Sequence, residues 1–122
     1  MIIEDEKMVR DLMKKKLVEK DYEVAIAENG KIGVEKIKEF DPDLILLDII
    51  MPEMNGFEVL KTMEEEDLSQ IPVIIISNSG QPVEIDKVRK FGVEDWIIKT
   101  EFDPQEVINK VVSEIGEPKN NN

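Results

Sequence analysis

The sequence contains no cysteine and no histidine. Without cysteine, disulfides and thiolate metal sites are excluded. Without histidine, the chain has no imidazole base, no imidazole metal ligand and no serine–histidine catalytic triad. Any chemistry that the chain performs must therefore use carboxylates, lysine, hydroxyl groups or the backbone.

Positive charge is also scarce, because 28 acidic residues stand against 16 basic ones and the formal net charge is −12. Nucleic-acid-binding proteins neutralise phosphates with Lys and Arg, so this balance argues against direct nucleic-acid binding. The acidic excess fits a solubilising surface, and it equally fits acids that converge on a divalent cation. Composition leaves both interpretations open.

Long apolar runs are missing, and none approaches the roughly 20 residues that a membrane-spanning helix needs. The start, Met1-Ile2-Ile3-Glu4-Asp5, is unlike a signal peptide because acids follow at once. We therefore expect a cytoplasmic protein without membrane contact. With 122 residues, 41% of them hydrophobic, the chain predicts one compact domain over 1–116 and a polar, frayed tail over 117–122.

Short apolar runs alternate with longer amphipathic stretches, a pattern typical of βα units around a parallel sheet. The predicted strands are 2–3, 22–27, 44–47, 73–76 and 96–98. The predicted helices are 7–20, 31–39, 57–66, 83–90 and 104–115. Asn29-Gly30 is expected to end the second strand as a turn, and Asp103 to cap the last helix. The sequence thus predicts an α/β fold, a doubly wound (βα)5 sandwich with a five-stranded parallel sheet.

Polar side chains stand where four of the predicted strands end. Glu4-Asp5 follows the first strand, Asp48 the third, Ser77 the fourth and Lys99 the fifth. In open parallel sheets, ligands bind beyond the carboxyl ends of the strands. We therefore expect these side chains to converge on one edge of the sheet.

Three carboxylates that converge repel each other unless a cation joins them, and oxygen-only ligation favours Mg²⁺. Asp48 is then a plausible nucleophile for phosphoryl transfer, with Lys99 and Ser77 positioned to stabilise the transferring oxygens. Taken alone, each residue has a plainer interpretation: a helix cap, a turn residue or a surface charge. Asp48, however, directly follows four apolar residues, and the joint pattern is more specific than any single member.

With these residues in place, the chain resembles the receiver domains of bacterial two-component response regulators, of the kind used in chemotaxis. The resemblance covers essentially the whole chain, and its most specific part is the LLDIIMPEMNG block at 46–56. It rests on five segments in the family's order: Ile3-Glu4-Asp5-Glu6, 43–48, 51–56, 72–77 and Trp96-Ile97-Ile98-Lys99. The resemblance implies a flavodoxin-like sandwich.

The resemblance also implies that Asp48 accepts a phosphoryl group from a sensor histidine kinase or a phosphotransfer protein, with Mg²⁺ as the cofactor. Asp5 would hold the ion directly and Glu4 through water. Asp48 and the backbone carbonyl of Ile50 would complete the protein ligands. The domain would then be a phosphorylation-dependent signalling switch that catalyses only its own phosphotransfer and dephosphorylation.

The resemblance implies that Ser77 and Trp96 are the switch residues. Ser77 would move towards the phosphoryl group, Lys99 would pair with that group, and the Trp96 ring would change rotamer as the hydroxyl moves. A core aromatic that never switches is the alternative for Trp96. The signal would reach a downstream protein, or a second copy in a homodimer, through the face formed by the fourth helix, fifth strand and fifth helix (the α4-β5-α5 face).

Two residues depart from the family pattern, and two stand at positions where family members differ in their rate of dephosphorylation. Thr100 replaces the usual proline after Lys99, which puts the cis peptide expected there in doubt. Asn78 is bulkier than the usual residue at its position. Ile50 and Ser79 stand where family members tune dephosphorylation, and an apolar Ile50 cannot orient a water molecule by hydrogen bonding. We therefore predict slow self-dephosphorylation.

Other functions compete with this one. The chain could be a receiver fragment of a longer transcription factor, or a natural variant with a weak first strand. It could be a small Mg²⁺-dependent aspartyl phosphatase, for which Glu53 offers only a weak general acid. A degenerate receiver that binds partners without phosphorylation fits least well, because the acids, the hydroxyl and the lysine are all present.

Overall fold

The computed structural model describes residues 1–77, 82–93, 95–99 and 103–118, with the backbone alone for 82–85. Strands and helices alternate along this part of the chain. The strands are β1 (Ile2–Ile3), β2 (Ile26–Ala27), β3 (Ile45–Asp48), β4 (Val73–Ser77) and β5 (Asp95–Ile98). The helices are α1 (Lys7–Glu19), α2 (Gly30–Phe40), α3 (Gly56–Glu65), α4 (Pro82–Arg89) and α5 (Pro104–Ile115).

The five strands form one parallel sheet in the order β2-β1-β3-β4-β5. The chain therefore winds outwards from β1 to β2, returns to β3 on the other side of β1, and continues to β4 and β5. This reversal puts helices on both faces of the sheet, and it makes the junction of β1 and β3 the switch point of the topology. The predicted doubly wound α/β sandwich with five parallel strands is confirmed.

Side chains of the central strands alternate between two hydrophobic cores. In β3, Ile45 and Leu47 point into one core and Leu46 into the other, and all three are almost fully buried. The first core is closed by residues of α2 and α3, and the second by residues of α1 and α5. Burial on both faces explains why β3 is an uninterrupted apolar run in the sequence.

Two local predictions were wrong. The second strand was expected over 22–27, but only Ile26–Ala27 forms β2, because its sole partner β1 offers just Ile2 and Ile3 for pairing. Asn29 does not end this strand as a turn. Its side chain accepts a hydrogen bond from Ile32 N at 2.9 Å, so Asn29 caps α2 and the helix begins one residue earlier than expected.

The last helix has the predicted bounds, and Asp103 caps it by accepting a hydrogen bond from Gln105 N at 2.9 Å. None of the helices in the described ranges is both long and apolar enough to cross a membrane. The predictions for Asn78, Ser79, Thr100 with its preceding peptide bond, and tail residues 119–122 lie outside the described residues and stay predictions.

Candidate functional site

The polar residues predicted at the strand ends meet at one edge of the sheet. Asp48 is the last residue of β3 and Ser77 the last of β4, while Glu4 follows β1 and Lys99 follows β5. The parallel register aligns the ends of these strands, and Lys99 N donates to Ser77 O at 2.7 Å. Four separate parts of the chain therefore deliver their polar side chains to the carboxyl edge of the sheet, as the sequence predicts.

The Lys99 side chain lies at the centre of this group with only 5% of its surface exposed. Its ammonium donates hydrogen bonds to Glu4 Oε2 at 3.0 Å, to Glu6 Oε1 at 2.9 Å and to Asp48 Oδ2 at 2.9 Å. A lysine ammonium carries three N–H donors, so all of them are engaged. Lys99 is thus a buried cation shared by three carboxylates.

Three carboxylates come close enough to share a metal ion. One oxygen from each of Glu4, Asp5 and Asp48 lies within 4.8 Å of the others. Glu4 and Asp48 are 0% and 1% exposed, whereas Asp5 is accessible to solvent. Glu4 Oε1 is buried and lies 3.0 Å from Lys99 Nζ, although it accepts no hydrogen bond from a described residue. An all-oxygen group with a surplus of negative charge fits a hard cation such as Mg²⁺.

The same crowding perturbs the acidity of the site. Burial, the hydrogen bond with Asp5 and the charge of Glu4 raise the pKa of Asp48 to about 8, although Lys99 opposes the shift. Burial likewise raises the pKa of Glu4. Burial alone lowers the pKa of Lys99, but its hydrogen bonds to Glu6, Asp48 and Glu4 outweigh that effect and raise it. Without a bound cation, the site therefore holds more negative charge than it can easily stabilise.

The loop after β3 folds back against Asp48. Gly56 N donates to Ile49 O at 2.7 Å, and a Cβ atom on Gly56 would lie 2.5 Å from Asp48 O. Ile50 N donates to Asp48 Oδ1 at 3.3 Å, which helps to orient the carboxylate. The Ile50 side chain is 61% exposed. The proposed role of the Ile50 carbonyl as a metal ligand stays a prediction.

Ser77 and Trp96 occupy the positions expected for the switch residues. Ser77 is buried, with 7% of its surface exposed, and it lies at the same edge of the sheet as Asp48. Trp96 in β5 is half-buried against the core beneath α2 and α3, and the Arg89 guanidinium lies 5.4 Å from the ring centroid. Their movement on phosphorylation stays a prediction.

Two contacts of the site were missed in the sequence. Glu6 bonds to Lys99 although the two residues are 93 positions apart, and Arg10 Nη1 donates to Glu4 O at 3.0 Å. The only sequence signal for Glu6 was its place in the acidic run Glu4-Asp5-Glu6. Nothing in the sequence singles out Arg10, since its spacing fits an ordinary helix surface.

Comparisons with known proteins agree with this geometry. Residues 1–112 match the family model of the response regulator receiver domain. The chemotaxis protein CheY of Thermotoga maritima is 37% identical in an alignment of 115 positions that covers 91% of this chain and 94% of that protein. The transcriptional regulatory protein ResD of Bacillus subtilis is 34% identical over 113 residues, 91% of this chain but 45% of that protein.

Solved structures extend the likeness to the fold. The chemotaxis protein CheY4 of Vibrio cholerae superposes with a TM-score of 0.86 over 93% of this chain and 95% of its own, at 23% identity. At that identity the superposition supports the α/β architecture alone. The family model goes further, because residues 1–112 contain all five segments that carry the resemblance, and the two sequence relatives support it with identities of 37% and 34%. The chain belongs to the family of receiver domains of two-component response regulators.

Proposed function

We propose that this domain accepts a phosphoryl group on Asp48, with Mg²⁺ held by Glu4, Asp5, Asp48 and the backbone carbonyl of Ile50. One observation carries the proposal. The buried Lys99 ammonium lies 2.9 Å from Asp48 Oδ2, beside carboxylates whose oxygens lie within 4.8 Å of one another. An aspartate between a fixed cation and a potential metal site has the surroundings that phosphoryl transfer needs.

In the proposed step, an Asp48 carboxylate oxygen attacks the phosphorus of a phosphohistidine. The new O–P bond forms as the N–P bond breaks, and the leaving imidazole nitrogen takes a proton from solvent. Lys99 holds charge on a phosphoryl oxygen, and the Ser77 hydroxyl donates a hydrogen bond to another. When bound, Mg²⁺ supplies the remaining neutralisation of the phosphoryl oxygens. The donor would be a sensor histidine kinase or a phosphotransfer protein.

The proposed output is a change in partner binding, with stoichiometric rather than catalytic use of the phosphoryl group. Ser77 and Trp96 lie in adjacent strands, so movement of the hydroxyl towards the phosphoryl group would free space near the ring. The change would alter the α4-β5-α5 face, which binds a downstream protein or a second copy of the domain. A cytoplasmic location is part of the proposal, and cell fractionation tests it.

The test uses beryllofluoride, which stands in for the phosphoryl group on a carboxylate. Mg²⁺ and then beryllofluoride are titrated while the fluorescence of the single tryptophan, Trp96, is followed. We expect a saturable response that requires Mg²⁺ and disappears in Asp48→Asn. Asp11→Asn removes an exposed carboxylate of α1 and should respond like the wild type.

Two results would contradict the proposal. One is an undiminished beryllofluoride response in Asp48→Asn. The other is steady turnover of a phosphate ester by the domain with Mg²⁺, which would favour an aspartyl phosphatase instead. Stoichiometric labelling of Asp48 supports the switch.

A further inference from the structure

The three carboxylates on Lys99 differ in their access to water. The side chains of Glu4 and Asp48 are 0% and 2% exposed, whereas the Glu6 side chain is 53% exposed. Glu4 and Asp48 also belong to the group of oxygens that could hold a cation, and Glu6 does not. Among the described partners of Lys99, Glu6 alone sits at the solvent boundary, apart from the proposed metal ligands.

A phosphoryl oxygen can approach Lys99 only if one of the three hydrogen bonds is given up. In the resting, metal-free site, Glu4 or Asp48 would be left without water and without a counter-charge if it lost Lys99, which is strongly unfavourable. A half-exposed carboxylate is hydrated when it is released, so its loss is far less unfavourable. The Glu6 bond is thus the easiest of the three to break.

The Glu6 carboxylate also carries a negative charge within 2.9 Å of Lys99 Nζ, next to the place where the phosphoryl group would add further negative charge. Like charges in a partly buried site repel each other. Glu6 therefore acts against an incoming phosphoryl group in two ways, by occupying Lys99 and by its own charge.

We propose that Glu6 is a positioning residue that holds Lys99 in the resting domain and competes with the phosphoryl group for it. The inference rests on the proposed function of Asp48. Its consequence is that Glu6 limits the affinity of the site for the phosphoryl group.

The backbone around Glu6 is fixed independently of its side chain. Glu6 N donates to Glu4 Oε2 at 2.8 Å, and Glu6 O accepts from Arg10 N at 2.9 Å. Glu6 occupies the N-cap position of α1, but its side chain makes no capping hydrogen bond. A substitution at this position therefore changes the contact with Lys99 while leaving the start of α1 intact.

The experiment measures beryllofluoride binding by calorimetry at saturating Mg²⁺, which does not depend on Trp96. Glu6→Gln keeps the length and an acceptor oxygen but removes the charge. We expect its dissociation constant for beryllofluoride to fall about two- to fivefold, the range for an exposed ion pair. Glu6→Asp keeps the charge on a shorter side chain. Its affinity for beryllofluoride should lie between those of the wild type and Glu6→Gln.

A titration with Mg²⁺ alone separates this role from a general change in the site. Removal of one negative charge should weaken Mg²⁺ binding or leave it unchanged, so the affinity for Mg²⁺ should not rise together with the affinity for beryllofluoride. Asp11→Asn is the matched control, because its side chain is 49% exposed on the same helix and contacts Lys7 rather than Lys99. It should leave beryllofluoride binding as in the wild type.

Equal or weaker beryllofluoride binding in Glu6→Gln, with normal binding in the wild type, overturns the competition. An equal gain in Asp11→Asn overturns it as well, because the effect would then reflect net charge. Wild-type binding that survives in Asp48→Asn would instead show that the proposed function itself is wrong.

Discussion

Asp48 is a buried carboxylate whose pKa of about 8 lies well above its ordinary value of 3.8. The folded domain therefore binds a proton more tightly than the unfolded chain does. The contribution of Asp48 to the free energy of unfolding is fully present below pH 3.8 and is lost as pH rises towards 8. We expect the metal-free wild type to lose stability over this window, and Asp48→Asn to be more stable by roughly 1–4 kcal/mol at pH 8.

Urea denaturation with a chelator present, repeated between pH 4 and pH 8.5, measures this effect. The difference between Asp48→Asn and the wild type should shrink towards pH 4. Part of the pH dependence should persist in the variant, because burial also raises the pKa of Glu4. A constant difference across the pH range would show that the charge of Asp48 is not its source.

If Asp48 is phosphorylated as proposed, we expect Ile50 to influence how long the phosphoryl group stays on the domain. Its side chain is 61% exposed and apolar, so it cannot orient an attacking water molecule by hydrogen bonding. We expect the phosphorylated domain to lose its label slowly, and Ile50→Asn to lose it several-fold faster because the amide can hold a water. Release of labelled phosphate over time measures both rates, and Ile50→Val is the apolar control. Loss of label from the wild type within seconds contradicts the expectation.

At the residue scale, most of the site could be predicted, and one part could not. Asp48, Ser77 and Lys99 could be predicted from the sequence because each follows an apolar run that forms a strand, and parallel strands end at a common edge of the sheet. Glu6 was missed because its significance depends on Lys99, 93 residues away. The distance between two such side chains is set by the packing of α1 against the sheet, which local sequence patterns do not specify.

At the scale of elements, the loop between β3 and α3 depends on Gly56. A Cβ at this position would lie 2.5 Å from Asp48 O and 2.8 Å from Ile49 Cα, so the backbone that carries Asp48 would have to shift. We expect Gly56→Ala to destabilise the domain by about 1–3 kcal/mol and to weaken Mg²⁺ binding together with stability. Denaturation and Mg²⁺ titration measure the two effects.

Gly92→Ala is the control for Gly56→Ala. Gly92 has a φ of +87° and open space around its Cβ position, so alanine there adds backbone strain without a clash. Gly92→Ala should therefore lose stability but keep its Mg²⁺ affinity. Equal Mg²⁺ affinities for Gly56→Ala and Gly92→Ala would show that close packing at Gly56 does not support the site.

The elements differ in how well the sequence predicts them. The bounds of α5 were predicted correctly because Asp103 and Pro104 mark its start and an apolar face runs through it. The strand β2 was predicted too long because residues 22–25 also have strand propensity, whereas β1 pairs only with Ile26 and Ala27. Asn29 was assigned to a turn because Asn-Gly suits turns and helix caps alike, and only the direction of the following chain separates the two.

At the scale of the whole molecule, metal binding and folding should be coupled. The Glu4-Asp5 pair and Asp48 come from two distant parts of the chain, and they meet only in the folded domain. A cation that binds them stabilises the folded state, by about 2.7 kcal/mol at a concentration 100 times its dissociation constant. Thermal unfolding with increasing Mg²⁺ should therefore show a rising midpoint. Asp5→Asn should lose most of the rise, and an equal rise in this variant would argue against the proposed metal ligands.

The fold follows from the sequence more directly than the function does. Five βα units whose strands are apolar on both faces leave few arrangements other than a doubly wound sheet. The order β2-β1-β3-β4-β5 then creates the crevice at the end of β1 and β3, where Glu4 and Asp48 meet. The partner of the domain is not encoded in this way, because recognition depends on surface side chains that the fold leaves free to vary.

The central claim is that Asp48 is the phosphoacceptor, and phosphotransfer from a panel of labelled histidine kinases tests it most directly. We predict transfer of one phosphoryl group per chain from at least one kinase, dependent on Mg²⁺ and absent in Asp48→Asn. Label that reaches Asp48→Asn as readily as the wild type would contradict the assignment of Asp48.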